Sequence, residues 1–401
     1  REHYEAILNE NRFNLRKKWN IIKEVINKSK KSSYPNTMSI DGKDVTDKKK
    51  IADSFNNFFI NVGANLAKKI PNSSISPCSY LKDPNPHTIF LRDVTETEVE
   101  LIIKNLKLAS PGWDSISAKV VKAVYHSFLA PLTYVLNLSI MSGHFPQEMK
   151  IAKVLPLFKD SNNQIVTNYR PISILPLFSK ILERLMYNRL LDFINKHKIL
   201  YNLQFGFRQG LSTGIALLYL IDKISSALDE GNYTLDVFLD FSKAFDTVDH
   251  NILFSKLEHY GIRGLALEWL KSYLNNRMQF VDFCGVQSEK RYITCGVPQG
   301  SILGPLLFLI YINDISNVSS ILSVILFADD TSAFISGPKI NQLITTMNFE
   351  LKHVNAWLTS NKLSLNVKKS HFILLSTQKV CIDKSVTING ASIEKVSSTK
   401  F

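Results

Sequence analysis

The sequence predicts an α+β fold, on the strength of two kinds of pattern. Residues 95–138 carry apolar residues at helical spacing, and from about residue 150 short strands alternate with helices. Two of these strands, 324–327 and 331–335, are separated by only three residues, which predicts an antiparallel hairpin. The chain has 401 residues, of which 45% are hydrophobic, enough for one large domain after a smaller leading segment.

The chain is basic and has no stretch long enough to cross a membrane. Its formal net charge of +13 indicates a polyanionic partner, either nucleic acid or an anionic membrane surface. A membrane span needs about 18 apolar residues. The best apolar run, residues 303–312, is shorter and contains Pro305. We therefore expect nucleic acid and no membrane as the partner.

The cysteine pattern predicts neither a disulfide framework nor a zinc site. The cysteines form no C-x-x-C pair, and no His stands at zinc-finger spacing from them. A chain of this length does not depend on disulfides, so we expect a reducing, intracellular compartment. The cysteines are Cys78, Cys284, Cys295 and Cys381.

The first 92 residues predict a basic leading segment with one short helix. Basic runs at residues 16–18 and 48–50 indicate a solvated helical face or a linker, with a nucleic-acid-binding arm as the alternative. Four apolar residues at helical spacing predict an amphipathic helix that docks on another part of the protein, and they are Phe55, Phe58, Phe59 and Val62. Residues 70–92 are rich in Pro, Ser and Asn, as in a linker.

Regular elements then follow in order. Thr95 and Glu98 form a capping box that begins a helix, and an apolar helical pattern resumes over residues 120–138 after a turn at 110–114. The remaining predicted elements are a strand at 154–158, a helix at 180–194, a strand at 234–239, a helix at 306–312, and the strands 324–327 and 331–335.

Acidic residues stand at the ends of two apolar strands. Asp240 follows the strand 234–239, and Asp329 and Asp330 follow the strand 324–327 after one residue. An isolated Asp-Asp pair is ordinarily only a turn. A strand tip rich in Val, Ile and Phe is buried, however, and a buried carboxylate is rare unless it is paired or binds a metal. Brought together, Asp240 and Asp329 predict a site for two Mg²⁺ ions roughly 3.5–4 Å apart.

Seven segments, in chain order, resemble the motifs of reverse transcriptases, and most closely those of jockey-type non-LTR retrotransposons. They are 154–159 with 168–173 (VLPLFK and NYRPIS), 204–208 with 212–213 (QFGFR and ST), 238–246 (FLDFSKAFD), 296–305 (GVPQGSILGP), 327–330 (FADD), 361–370 (NKLSLNVKKS) and 398–401 (STKF). The resemblance covers about residues 93–401. Seven motifs in this order and spacing are far more specific than any one of them.

The resemblance implies a right-hand polymerase fold with fingers and with a palm whose antiparallel sheet carries the acids. Residues 139–401 would form the reverse transcriptase domain, truncated before most of the thumb, and residues 93–138 a helical lead-in to it. Residues 1–92 would be the linker region that joins a missing upstream endonuclease to the polymerase.

The implied activity is RNA-directed DNA polymerisation, with an RNA template, a DNA primer and dNTP as partners. The primer 3′-hydroxyl would attack the α-phosphate of the dNTP, and pyrophosphate would leave. The implied location is the nucleus during integration. Two alternatives are an intron-maturation-type reverse transcriptase that mainly folds RNA and a catalytically inactive nucleic-acid-binding remnant. A catalytically competent enzyme is favoured over the inactive remnant because the acidic motif residues and Gln299 are all in place.

The same resemblance assigns the residues of the chemical step. Asp240 and Asp329 would be the ligands of two Mg²⁺ ions, for which Mn²⁺ is the alternative, and Asp330 would be the supporting carboxylate. Phe245 would be the steric gate that leaves no room for a 2′-hydroxyl and so selects dNTP over rNTP. The plainer alternative for Phe245 is a core residue at the start of a helix.

Nucleotide binding is assigned to residues of other motifs. Lys159 and Arg170, on the fingers, would bind the triphosphate. Gln299 would hydrogen-bond near the template or the sugar, and Gly300 would let the backbone come close to the nucleotide. Lys369 would be the general acid that protonates the pyrophosphate.

Other polar residues near the motifs receive plainer interpretations. Lys362 and Lys368 compete with Lys369 for the role of general acid. A His beside acids is ordinarily structural, and on this ground we interpret the cluster of Asp246, Asp249 and His250 as structural. Two further residues are candidates for template contact, Arg208 and Ser212.

Overall fold

The computed structural model describes residues 7, 8, 10, 17–19, 34–159, 161–377 and 384–399. Arg16 of the first basic run, Cys381 and the last two residues of the segment 398–401 lie outside the described residues. The three described cysteines, Cys78, Cys284 and Cys295, are free thiols.

Ten α-helices and fourteen strands lie with both ends among the described residues, and residues 7, 8, 10 and 17–19 are also helical. The helices are α1 (Lys48–Lys69), α2 (Glu96–Asn105), α3 (Ala118–Val124), α4 (Leu129–Ser142), α5 (Leu177–Lys196), α6 (Thr213–Asp229), α7 (His250–His259), α8 (Leu265–Leu274), α9 (Leu303–Ile312) and α10 (Ile340–Ser360). The strands are β1 (Met38–Ile40), β2 (Lys43–Val45), β3 (Ile151–Phe158), β4 (Tyr169–Ile174), β5 (Tyr233–Leu239), β6 (Met278–Phe283), β7 (Val286–Gln287), β8 (Arg291–Tyr292), β9 (Ser323–Phe327), β10 (Asp330–Gly337), β11 (His371–Leu375), β12 (Thr387–Ile388), β13 (Ala391–Ser392) and β14 (Glu394–Lys395).

A five-stranded sheet carries the acidic strand ends. Its strand order is β14-β11-β5-β10-β9. The strands from β11 to β9 pair antiparallel, as the sequence predicts, whereas the edge strand β14 pairs parallel to β11. The register sets Leu239 opposite Thr331, and Phe327 opposite Asp330, which confirms the predicted hairpin of β9 and β10.

A second sheet has the order β4-β3-β6-β7, with β8 paired to β6. β3 pairs antiparallel with β4 and parallel with β6. α1 packs on this sheet, because Phe55 and Phe59 of the helix are buried in one core with Val154, Tyr169 and Phe283. The predicted amphipathic helix is therefore confirmed, and the element on which it docks is the second sheet.

The helices before the second sheet follow the predicted pattern with one interruption. Thr95 caps α2 by accepting a hydrogen bond from the Glu98 backbone N–H at 3.2 Å, as the capping box predicts. The apolar pattern of residues 120–138 predicts continuous helix, but a 3₁₀ turn at Tyr125–Ser127 separates α3 from α4. The buried Tyr125 lies at this break and donates its hydroxyl to Glu100 Oε1 at 2.9 Å, so tertiary packing interrupts the local periodicity.

α9 lies in the protein interior. Nine of its ten residues are buried, and a helix that is apolar on all sides is typical of a core. Pro305 stands in its first turn, where the missing N–H removes no helical hydrogen bond. Among the described helices, none combines the length and apolarity that a bilayer crossing needs.

Gly63 brings α1 against the loop that follows β5. A Cβ atom at Gly63 would lie 2.0 Å from the carbonyl oxygen of Asp246 and 2.7 Å from Cys295 Sγ. Real Cβ atoms do not approach a backbone oxygen so closely, so this helix position requires glycine. α1 is thus fitted to the residues around the acidic sheet as well as to the second sheet.

Replacing Gly63 with Ala is expected to lower the free energy of unfolding by about 1–3 kcal/mol, because the added methyl group overpacks this contact. Urea unfolding followed by circular dichroism measures the change. The matched control is Gly214→Ala in α6, where a Cβ atom meets nothing nearer than Ser212 Oγ at 3.6 Å. There we expect no change or a gain of up to about 1 kcal/mol. Equal effects of the two substitutions would contradict the tight contact at Gly63.

Candidate active site

The hairpin of β9 and β10 turns through Ala328 and Asp329. Ala328 has a φ of +59°, in the left-handed region that residues with a Cβ atom rarely adopt. Strain of this kind persists only where surrounding contacts impose it, and it is typical of functional sites. The turn that presents Asp329 therefore needs support from elsewhere in the chain.

That support comes from residues 203–206. Gln204 is buried, and its Oε1 accepts hydrogen bonds from the backbone N–H groups of Ala328 at 3.0 Å and Gly206 at 2.8 Å. Phe205 N–H donates to the Leu326 carbonyl at 2.8 Å. A Cβ atom at Gly206 would lie 2.2 Å from the Ala328 nitrogen, so the two backbones touch. The segment 204–208 thus holds the acidic turn, a role that its sequence alone did not reveal.

Asp240 is held by the segment 361–370. Its backbone N–H donates to Ser370 Oγ at 3.2 Å, and its carbonyl accepts from Asn366 N–H at 2.8 Å. Because Leu239 pairs with Thr331, the register brings Asp240 to the end of the sheet where Asp330 begins β10. The three acids predicted to act together therefore meet at one end of the sheet.

The charges of these acids act on one another. Burial, and then the neighbouring charges of Asp330 and Asp240, raise the pKa of Asp329 to about 6. Burial and the charge of Asp240 also raise the pKa of Asp330. The charge of Asp240 thus disfavours ionisation of both Asp329 and Asp330, and a bound cation would relieve this repulsion.

The donor set suits a hard divalent cation that is shared with a substrate. Within the described ranges, no group of three or more His, Cys, Asp or Glu side chains is arranged to hold a metal ion by itself. Mg²⁺ is commonly bound through one or two carboxylates and completed by substrate phosphates and water. Asp240 and Asp329 offer carboxylate oxygens of this kind, so the residues present fit Mg²⁺ as a partner of a phosphate-bearing ligand.

Basic residues of the second sheet face the acids. Arg170 lies on β4 and Lys159 directly follows β3, and both are exposed. The positive charges of both oppose the rise in the pKa of Asp330, and Arg170 opposes that of Asp329. The structure therefore sets the two predicted phosphate-binding residues within electrostatic reach of the acids.

Phe245 lies between aromatic side chains beside this site. It is half-buried, and its ring stacks on Phe308 of α9 with 4.4 Å between centroids. The ring of Phe207 meets it edge-on at 6.0 Å. A ring supported by the buried helix α9 is a rigid surface, as a steric gate requires.

The loop that carries Gln299 and Gly300 docks on β4. The Gln299 carbonyl accepts a hydrogen bond from Ser173 N–H at 2.8 Å. Gly300 has a φ of +113°, and a Cβ atom there would lie 2.5 Å from the Ser173 carbonyl oxygen. Only glycine allows this approach, so the loop is fixed to the strand that also carries Arg170.

Lys369 is exposed, whereas its competitor Lys362 is engaged in an ion pair with Asp249 at 2.6 Å. Lys243, which no pattern in the sequence marks as a site residue, donates from its Nζ to the Tyr169 carbonyl at 3.3 Å. Burial lowers the pKa of Lys243, and the positive charges of Arg170 and Lys369 add to this. Lys243 thus lies in the same electrostatic neighbourhood as Arg170 and Lys369.

The two candidates for template contact are engaged inside the chain. Arg208 Nη1 donates to the carbonyls of Tyr201 and Gln204, each at 3.0 Å. Ser212 caps α6 by accepting a hydrogen bond from Ile215 N–H at 3.3 Å. Their contact with a template stays a prediction.

Comparison with known proteins places these motifs in a family. Residues 159–400 match the family described as Reverse transcriptase (RNA-dependent DNA polymerase). The chain is 30% identical over 337 residues to "Probable RNA-directed DNA polymerase from transposon BS" of Drosophila melanogaster, covering 80% of this chain and 36% of that protein. It is 29% identical over 331 residues to "RNA-directed DNA polymerase from mobile element jockey" of the same species, with the same coverage. The chain thus spans about a third of the length of these curated relatives.

Replacing Gln204 with Ala is expected to lower the free energy of unfolding by about 1–3 kcal/mol, because two buried N–H groups lose their acceptor. Hydrogen–deuterium exchange at the Ala328 amide should become faster. The matched control is Gln147→Ala, which removes one exposed hydrogen bond to the Asn276 carbonyl and should change stability by less than about 0.5 kcal/mol. Unchanged exchange at Ala328 would contradict the supporting role of Gln204.

Proposed function

The chain belongs to the reverse transcriptase family, and from this premise we propose that it is the polymerase core of a non-LTR retrotransposon RNA-directed DNA polymerase. Its substrates would be an RNA template, a DNA primer and dNTP. The observation that carries the proposal is the meeting of Asp240 with the Asp329-Asp330 turn, opposite the basic residues Lys159 and Arg170. Acids that repel one another beside phosphate-binding cations suit nucleotidyl transfer.

We interpret the two sheets as the palm and the fingers of a right-hand polymerase. We assign the sheet β14-β11-β5-β10-β9 to the palm, because it carries the acids. We assign the sheet β4-β3-β6-β7 to the fingers, because Arg170 on β4 and Lys159 directly after β3 act electrostatically on Asp330. The nucleotide would lie between the two sheets, and its base would pair with the template there.

Asp240 and Asp329 would hold the two Mg²⁺ ions, or Mn²⁺ in their place, and Asp330 would add negative charge beside them. When bound, the two ions lower the pKa of the primer 3′-hydroxyl and stabilise the leaving pyrophosphate. The chain contributes the fixed position of the acids, since Gln204 and Ser370 hold the backbones on which they stand.

The remaining residues would bind and select the nucleotide. Arg170 and Lys159 would contact the triphosphate, and Arg can do so with two parallel N–H groups. Phe245 would lie under the sugar and exclude a 2′-hydroxyl. Gln299 and Gly300, docked on β4, would contact the nucleotide or template. Lys369 would donate a proton to the pyrophosphate, and of its two competitors, Lys362 and Lys368, the first is paired with Asp249.

The alternative of a catalytically inactive nucleic-acid-binding remnant is not favoured. Mutational decay of the element would remove the acids or the residues that hold them. Asp240, Asp329 and Asp330 are all present, and hydrogen bonds hold the backbone at Asp240 and at the turn before Asp329. Reverse transcription at a genomic target would take place in the nucleus.

Replacing Asp329 and Asp330 together with Ala is expected to abolish primer extension, because the metal ligand and its neighbour are lost. The loss should reach at least about a thousandfold, several kcal/mol of transition-state stabilisation. Extension of a DNA primer on an RNA template with Mg²⁺ and dNTP measures it. The control is Asp83→Asn, at an exposed position distant in sequence from the three acids, and it should retain extension. Salt-sensitive RNA binding by a wild-type chain that never extends would support the inactive remnant instead.

Replacing Phe245 with Val is expected to admit rNTP, because the smaller side chain leaves space for the 2′-hydroxyl. The ratio of kcat/KM for dNTP to that for rNTP should fall by roughly ten- to a hundredfold. Single-nucleotide addition with each substrate measures the ratio. Phe128→Val, at another half-buried Phe outside the site, is the matched control. An unchanged ratio in the Phe245 variant would assign the ring to the core rather than to selection.

A further inference from the structure

Residues 245–250 and the loop 296–299 are joined by four hydrogen bonds. Two are between backbones: Val297 N–H donates to the Phe245 carbonyl at 2.9 Å, and Gly296 N–H donates to the Val248 carbonyl at 2.8 Å. The other two involve Asp246 and His250, whose sequence context predicts a structural role: Gln299 Nε2 donates to Asp246 Oδ1 at 2.8 Å, and His250 Nε2 bonds the Gly296 carbonyl at 2.8 Å. The gate and the nucleotide-binding loop therefore form one connected unit.

The backbone of Asp246 is fixed from two sides. A Cβ atom at Gly63 would lie 2.0 Å from the Asp246 carbonyl oxygen, and one at Gly296 would lie 2.8 Å from the same atom. Cys295 Sγ also donates to this oxygen at 3.4 Å. The carboxylate thus projects from a backbone that has little freedom to move, and Gln299 must adopt the position that Asp246 dictates.

The environment of the Asp246 carboxylate is unfavourable for a charge. Its Oδ2 is buried and has no hydrogen-bond partner among the described residues. Burial raises the pKa of this carboxyl to about 6. A buried carboxyl that is only partly hydrogen-bonded costs stability. A purely structural site would favour a neutral side chain here. The cost in stability of burying this carboxylate therefore indicates that its hydrogen bond to Gln299 has a function.

The path of the loop does not depend on this bond. At its far end, Glu183 Oε2 accepts hydrogen bonds from Ile302 N–H at 2.7 Å and Leu303 N–H at 3.2 Å. At its near end, His250 holds the Gly296 carbonyl. Asp246, by contrast, bonds the side chain of Gln299. Removing the Asp246 carboxylate should therefore release one side chain and leave the loop in place.

We propose that Asp246 is a positioning residue for nucleotide selection, which fixes the Gln299 side chain relative to the gate Phe245. This inference rests on the proposed function. With one amide N–H bound to Asp246, the other N–H and the oxygen of Gln299 are oriented toward the nucleotide. The carbonyl of the adjacent Phe245 accepts a hydrogen bond from the same loop, so the distance between the Phe245 ring and the Gln299 amide is fixed. Loss of the hydrogen bond between Gln299 and Asp246 leaves the Gln299 side chain free to rotate and weakens the preference for dNTP over rNTP.

The test compares Asp246→Ala, Asp246→Asn, Gln299→Ala and the Asp246→Ala/Gln299→Ala double variant in the 401-residue chain. Single-nucleotide addition on an RNA template gives kcat and KM for dNTP and for the matching rNTP. Asp246→Ala should lower kcat/KM for dNTP roughly tenfold, mainly through KM, the loss expected of one charge-assisted hydrogen bond. The kcat/KM for rNTP should change less, so the dNTP preference falls. Asp246→Asn keeps an oxygen acceptor for Gln299 and should restore most of that preference.

The double variant separates positioning from a general structural role. If Asp246 acts through Gln299, the double variant should match Gln299→Ala alone. If the losses in kcat/KM of the two single variants instead multiply in the double variant, the inference is overturned and the proposed function is unaffected. Equal losses for dNTP and rNTP, together with a lowered thermal midpoint, would also overturn it and assign Asp246 to the fold. Absence of extension by the wild-type chain would instead contradict the proposed function, and this inference with it.

Discussion

Mutual repulsion among three carboxylates is the constraint on which this structure depends. Asp240 and the Asp329-Asp330 turn meet because β5, β9 and β10 are paired in one register. The pKa of Asp329 is raised to about 6 in the folded chain. As the pH rises from the ordinary pKa of an Asp carboxyl to about 6, the unfolded chain loses this proton while the folded chain keeps it, so the free energy of unfolding falls. The sheet pairing and the packed core offset this cost. Gln204 supports the strained turn against the same repulsion.

The second sheet provides the opposite charge, and its own stability depends on α1. Lys159 and Arg170 are exposed, and their positive charges act on Asp330. The sheet beneath them shares its core with Phe55 and Phe59 of α1. The division of the chain at residue 92 stays a prediction. In structural terms, however, α1 belongs with the sheet that carries the basic residues, and Gly63 extends its contact to the loop after β5.

The sequence predicts those features whose cause is local. Acids after apolar strands, the capping box at Thr95 and the amphipathic pattern of α1 are each visible within a few residues. The role of Gln204 is not, because its partner Ala328 is 124 residues away and nothing near Gln204 marks it as a buried acceptor. The same holds for the 3₁₀ turn at Tyr125, where a tertiary contact overrides the helical period, and for the parallel pairing of β14, which depends on the whole sheet.

The proposed selection of dNTP by the residues after Asp240 illustrates why a selective site needs contacts that never touch its ligand. A 2′-hydroxyl is a single oxygen atom, and discrimination against it requires that the surrounding groups keep their spacing to a fraction of an ångström. Phe245 obtains this rigidity from Phe308 and the buried helix α9. Gln299 has three rotatable bonds and needs a polar anchor to lose the corresponding freedom. A carboxylate is the stronger acceptor for an amide N–H, but only at the cost of burying a charge. The Oδ2 atom of Asp246 is buried without a hydrogen-bond partner among the described residues, and Asp246 lies outside the group of three acids, so the cost of burying this carboxylate is best explained by its hydrogen bond to Gln299.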